Sequence, residues 1–126
     1  ADSFLRSMRG LMISDQTMKR LLSFREARDW QQFHTFRNLA VSISLEAAEL
    51  LEIVQWVPDS DVGDVVSKQK AHICNEMADI AIYLAYLAHD LGVDLDDCVN
   101  KKLSLNDEKY PVVKSKGHAT KYDRLR

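Results

Sequence analysis

The sequence predicts an all-α fold, and three observations predict it. Four glycines and two prolines occur in 126 residues, so few points force regular structure to stop. No segment alternates apolar and polar residues with the period of two that marks a half-buried strand. Apolar residues recur instead at spacings of three and four, the pattern of one helix face turned to a core.

Four helices are expected. The first covers about residues 14–29, with Ser14 as its N-cap ahead of DQTMKRLLSFREARDW. A polar-aromatic link, RDWQQFHTFRN, leads to the second, at about 39–55, which stops before Pro58 and the loop residues of PDSDVGD. The third, at about 67–91, is the longest and ends at Gly92. VDLDD opens the fourth, which runs to about residue 109 and ends at Tyr110-Pro111. Residues 1–12 read as a poorly ordered N-terminal extension and 13–112 as the domain. Residues 113–126 form a basic, loop-like tail.

Hydrophobic residues make up 46% and charged residues 29%, a balance that fits a soluble globular protein. A net charge of −2 gives no reason to expect a nucleic-acid polymer or an anionic membrane as partner. The longest apolar run, MADIAIYLAYLA at 77–88, is too short to span a bilayer and carries Asp79. The first residues lack the basic and apolar regions of a secretory signal. Cys74 and Cys98 show no CxxC spacing and read as reduced thiols, which points to the cytoplasm.

The stretch SLEAAELLE, residues 44–52, places carboxylates inside an apolar stripe. At 100° per residue, Leu39, Ile43, Leu50, Ile53 and Val57 fall within roughly 60° of Glu46, with Glu49 to one side and Glu52 turned towards solvent. The third helix repeats the pattern: Ile73, Ile80, Leu87, Leu91 and Asp79 fall within roughly 60° of Glu76. A single acidic pair on a helix is commonly a solvated feature. Two pairs on facing stripes are different, because four carboxylates in a low-dielectric groove need a cation between them. Mg²⁺ or Mn²⁺ suits an all-oxygen set.

EAAE at 46–49, a gap of 26 residues and EMAD at 76–79 resemble the ExxE…ExxD signature of the MazG-like all-α nucleoside triphosphate pyrophosphohydrolases. The likeness extends to RDWQQFHTFRN, to Gln55-Trp56, to DIAIYL at 79–84 and to KKLSLNDEKYP at 101–111, which are similar to the dCTP pyrophosphatase branch, in its small stand-alone form. It covers about residues 14–112, which it marks as the catalytic domain. The fold it implies is a four-helix-bundle-like all-α NTP pyrophosphohydrolase fold, assembled as an oligomer.

That resemblance implies a Mg²⁺-dependent enzyme that cleaves a (deoxy)nucleoside triphosphate between the α and β phosphates, with dCTP or a modified relative as substrate. It implies house-cleaning of the nucleotide pool. Glu46, Glu49, Glu76 and Asp79 match the metal-ligand positions, and Glu49 is the candidate for accepting the proton of the attacking water. Lys102, Asn106 and Lys109 match phosphate-side positions and share one helix face. Trp30, His34, Trp56, Tyr83 and Tyr110 match the aromatic, substrate-binding positions. Several homologous proteins carry two acids in tandem in the first motif, whereas here Leu45 precedes Glu46, so one or two ions stay open.

Ala81, Ile82, Ala85 and Ala88 lie off the acidic face of a helix that is apolar nearly all round, which predicts a subunit interface in a homodimer or homotetramer. Three rival readings fit the residues less well or come from a different class. A di-iron bundle requires Glu-x-x-His pairs, and the partner of Glu76 is Asp79. An HD-type phosphohydrolase would use His89-Asp90, but the other histidines give no supporting spacing, and a solvated helix end accounts for the dyad. A non-catalytic helical interaction module is the alternative from a different class.

Overall fold

The computed structural model describes residues 13–125; the extension expected at residues 1–12 lies outside the described residues. Helix α1 spans Asp15–Ala27, and Ser14 caps it as expected, its hydroxyl accepting the Thr17 N–H at 3.1 Å. At the foot of α1 Asp29 takes φ +51°, a left-handed conformation that aspartate tolerates better than most side chains. Gln32 donates to both the Asp29 carbonyl and its carboxylate at 3.0 Å, which fixes this turn. The link then coils into a 3₁₀ turn at Gln31–Phe33.

Helix α2 spans Phe36–Glu52. It begins earlier than the apolar stripe suggested, because Thr35 is the N-cap and accepts the Asn38 N–H at 3.2 Å. The Asn38 side chain donates back to the Phe33 carbonyl at 2.9 Å and so ties the link to the new helix.

The expected third helix is two. Helix α3, Val62–Lys68, follows a 3₁₀ turn at Asp59–Asp61, and α4 runs Lys70–Leu91. The break is Gln69, with φ −101° and ψ 16°. Part of PDSDVGD, expected as loop, is therefore helical: Val62 and Val65 are half-buried, which gives α3 an inner face. Helix α4 ends at Gly92, where φ is +66° and the N–H bonds the Ala88 and His89 carbonyls.

Helix α5, Leu95–Lys109, starts at Asp94, whose carboxylate accepts the Asp96 and Asp97 N–H groups at 2.9 and 3.3 Å. The tail is not purely loop. It forms α6, Val112–Ser115, and a 3₁₀ turn at Tyr122–Arg124. Tyr122 then packs edge-on against Tyr110 at 6.1 Å, and the Lys109 ammonium sits 4.8 Å over its ring.

The main contact in the molecule is between α2 and α4, with α1 and α3 laid against α4. The pair is antiparallel: the second half of α2 meets the first half of α4, and the link before α2 meets the end of α4. Leu39, Ala85 and Tyr86 are buried there. Helix α5 contributes no buried residue and keeps Val99, Leu103 and Leu105 exposed. Among the described residues no helix is long and apolar enough to cross a membrane.

Candidate metal and nucleotide site

Three carboxylates meet across α2 and α4. Glu46 and Glu49 lie three residues apart on α2, Glu76 projects from α4, and their ligand atoms all fall within 4.8 Å of one another. Glu76 is buried, Glu46 half-buried and Glu49 exposed, so the group runs from the core to the rim. One oxygen each of Glu46 and Glu76, Oε2 in both, is buried without a hydrogen-bond partner. Unpaired buried carboxylate oxygens are costly unless a cation or proton meets them. That is the condition a metal ion would satisfy, and the all-oxygen donor set fits a hard divalent one.

The crowding is visible in the proton affinities. Glu46 is pushed up to about 7, first by its hydrogen bond with Glu76, then by burial, then by Glu49 and Asp79. Glu49 is also raised, chiefly through Glu76. Glu76 is lowered because Glu46 hydrogen-bonds to its charged form, and Glu49 and His72 add to this. At neutral pH the three groups together hold part of a proton that an ion would displace.

Asp79, the fourth acid of the two pairs, is half-buried one turn beyond Glu76 and outside the 4.8 Å group, although its charge reaches Glu46. Two residues not singled out from the sequence as part of the site join its wall. His72 Nε2 stands 3.3 Å from Glu76 Oε1, and Glu52 lines the same cleft of about 370 Å³ with Glu49, Ile53 and Gln69. The signal for His72 was available, since it lies four residues before Glu76 on the same helix face.

The aromatic positions separate into groups. His34 is half-buried between Tyr83 and Tyr86, with ring centroids 6.5 and 5.1 Å away. Trp30, at the other end of the 3₁₀ turn, packs edge-on to Phe24 at 5.7 Å. Trp56 stands 87% exposed beyond α2, and Tyr110 packs on Tyr122 in the tail, so neither joins the His34 group. Lys102, Asn106 and Lys109 share a face of α5, and among the described residues no hydrogen bond or ion pair links their side chains to the acids. The chain turns at Gly92 into α5, which packs against α2 and α4 far less than those two pack on each other.

Residues 41–125, which contain both acidic pairs and all of α5, match the model of the MazG-like family. The chain belongs to the MazG-like family. Within it, the chain is 41% identical over 104 residues to dCTP pyrophosphatase 1 of Bos taurus, covering 81% of this chain and 62% of that protein. Against dCTP pyrophosphatase 1 of Homo sapiens the identity is 36%, covering 81% and 61%. The chain thus spans about three fifths of the length of these curated relatives. A pyrophosphatase crystal structure from Archaeoglobus fulgidus superposes with a TM-score of 0.74 at 41% identity, covering 77% of this chain and 91% of that one. The MazG-like fold expected from the acidic signature is therefore the fold observed.

Proposed function

We propose that this MazG-like chain is a nucleoside triphosphate pyrophosphohydrolase, adding water across the α–β anhydride of a deoxynucleoside triphosphate to give the monophosphate and pyrophosphate. The observation that carries this is the convergence of Glu46, Glu49 and Glu76, with two buried carboxylate oxygens left unpaired. The similar proteins named pyrophosphatase support it.

In this reading Glu46, Glu49, Glu76 and Asp79 hold Mg²⁺ or Mn²⁺. The bound ion would neutralise charge on phosphate oxygens and make a coordinated water more acidic. Glu49 is suited to accept the water's proton, since it sits at the exposed rim and its carboxylate is more basic than usual. Lys102, Asn106 and Lys109 supply positive charge and hydrogen bonds to the phosphates. Trp30, His34 and Tyr83 offer flat surfaces to the base, with Trp56 and Tyr110 at the margin. Similarity to dCTP pyrophosphatases supports dCTP, or a related or modified deoxynucleoside triphosphate, as the preferred substrate, and the role in this reading is clearing surplus or modified nucleotides from the cytoplasm.

The protein works as a homodimer or homotetramer. Exposed Phe36, Val41 and Leu45 of α2 line one groove, and α5, with the phosphate-side residues, packs little against α2 and α4 of its own chain. A second copy would cover the first and bring its α5 to the site. The test is a panel of dNTPs and NTPs with and without Mg²⁺, following monophosphate and pyrophosphate. The expected result is Mg²⁺-dependent pyrophosphate release, fastest with dCTP. Orthophosphate as the first product, or no turnover of any nucleotide, would overturn the reading.

A further inference from the structure

Asp90 lies 14 residues beyond Glu76, roughly 21 Å along the axis of α4, so it belongs to a different part of the molecule from the acids. It is exposed near the end of α4, as the sequence suggested, but its carboxylate is held by a partner. Arg25, 3% exposed, donates two hydrogen bonds to it, Nη1 to Oδ2 at 2.9 Å and Nη2 to Oδ1 at 2.8 Å. The same guanidinium lies 4.7 Å from the centre of the Tyr86 ring. Tyr86 is 2% exposed, and its hydroxyl donates to the Leu21 carbonyl at 2.6 Å. Its other neighbour is His34, at 5.1 Å. The Arg25 backbone carbonyl, in turn, accepts the Trp30 N–H at 3.1 Å. One residue of α1 therefore grips α4 with its side chain and the Trp30–His34 link with its backbone.

The pair is half-buried, Arg25 inside and Asp90 at the surface, and even a fully buried ion pair is a weak stability device, because apolar residues of similar volume often do as well. What its planar fork does supply is a fixed geometry. We propose that Arg25 and Asp90 form a positioning pair for the nucleobase end of the site, fixing the Tyr86 ring and, through it, the place of the His34 imidazole. This rests on the nucleotide-hydrolase reading above.

The electrostatics agree with the geometry. His34 is driven below its usual proton affinity, first by burial and then by Arg25, while Asp90 pulls the other way. Arg25 on α1 and Tyr83, Tyr86 and Asp90 on α4 are the ionisable groups that face it. His34 Nδ1 is buried without a hydrogen-bond partner, which leaves Nε2 to meet a base edge, and Nε2 can accept a hydrogen bond only while the ring is uncharged.

The experiment replaces both charges, Arg25→Met with Asp90→Leu, so that neither is left without its partner. It reads dCTP hydrolysis with Mg²⁺ at pH 7.5 together with the NMR titration of the His34 ring proton, assigned with His34→Gln. The expected result is a folded protein whose KM rises about tenfold while kcat stays within about twofold, and whose His34 titration moves up towards its ordinary value. Arg25→Lys keeps the charge and loses the fork, so it should fall between wild type and the double variant. A folded double variant with wild-type KM and an unmoved His34 titration overturns the proposal. Should the double variant fail to fold, Arg25→Lys decides by the same two readouts, and wild-type values for both overturn it. A wild-type protein that hydrolyses no nucleotide would sink the parent reading instead, and the His34 titration in the variants would still decide whether the pair positions that ring.

Discussion

Glu46 of α2 and Glu76 of α4 present carboxylate oxygens within 4.8 Å of each other, and each keeps one oxygen buried and unpaired. Two such groups from separate helices repel unless something positive or a shared proton lies between them. This antagonism makes Glu76→Gln informative. Removing one charge relieves the crowding, so the metal-free variant should melt at or above the wild-type temperature. Its hydrolysis should fall at least ~100-fold and the Mg²⁺-induced rise in melting temperature should vanish. Calorimetry with and without Mg²⁺, beside the pyrophosphate assay, measures both; a variant that still gains stability from Mg²⁺ would show that Glu76 is no ligand.

The second prediction concerns pH. Glu46 is raised to about 7, so in the metal-free protein its contribution to stability is full below its ordinary value near 4.5 and is lost as pH rises through about 7. An ion needs the carboxylate, so metal affinity should run the opposite way and rise with pH through the same window. His34, whose proton affinity is lowered, also alters folding stability near this pH, so metal binding is the cleaner readout. Calorimetric titration of Mn²⁺ in buffers of differing ionisation enthalpy should show about one proton displaced per ion near pH 6 and almost none near pH 8. Equal affinity and no proton release at both would contradict the coupling.

Phe36, Val41 and Leu45 are 66, 50 and 59% exposed on one side of α2, and with Ala40 they line a groove of about 500 Å³. Burying such side chains is worth roughly 1.5–3 kcal/mol each. The wild-type protein should therefore sediment as a dimer or tetramer at micromolar concentration. Val41→Glu with Leu45→Glu should yield a monomer that keeps its helical circular dichroism and loses nucleotide hydrolysis. Full activity in that monomer would mean each chain carries a complete site.

The contrast between Glu46 and Asp90 shows what the sequence could and could not tell. Helix class, the Ser14 cap, the Gly92 stop and the inward face of Glu46 were all legible, because each follows from spacing along a single helix. The break at Gln69 was not, since neither glycine nor proline marks it and apolar residues continue on both sides. The pairing of Asp90 with Arg25 was not legible either, because the partner lies 65 residues away on α1 and no local pattern encodes it. The same limit explains Trp56 and Tyr110: the motif names them, but their surroundings depend on where the chain goes after α2 and α5. Ala81, Ala85 and Ala88, expected to face another subunit, line a cavity of about 210 Å³ with Ile13 and Met18, so α1 of the same chain takes part of that face.

The last prediction follows from the Arg25–Asp90 pair as a structural element. Asp90→Asn preserves shape but leaves the buried guanidinium without its counter-ion. Breaking such a pair usually costs about 3–5 kcal/mol. Here the Asp90 side chain keeps a quarter of its exposure, so a loss of about 2–3 kcal/mol at pH 7 is expected after solvent screening. The acid limb gives an independent check. Arg25, through its hydrogen bonds, holds the Asp90 carboxyl below its ordinary range near 3.8, so the pair's contribution is full above that value and is lost as pH falls through the depressed one. Urea unfolding at pH 7 and at pH 3 should therefore show wild type and Asp90→Asn far apart in the first and converging in the second. A gap that stayed constant from pH 7 to pH 3 would mean that Asp90 stabilises the fold through packing and not through its charge.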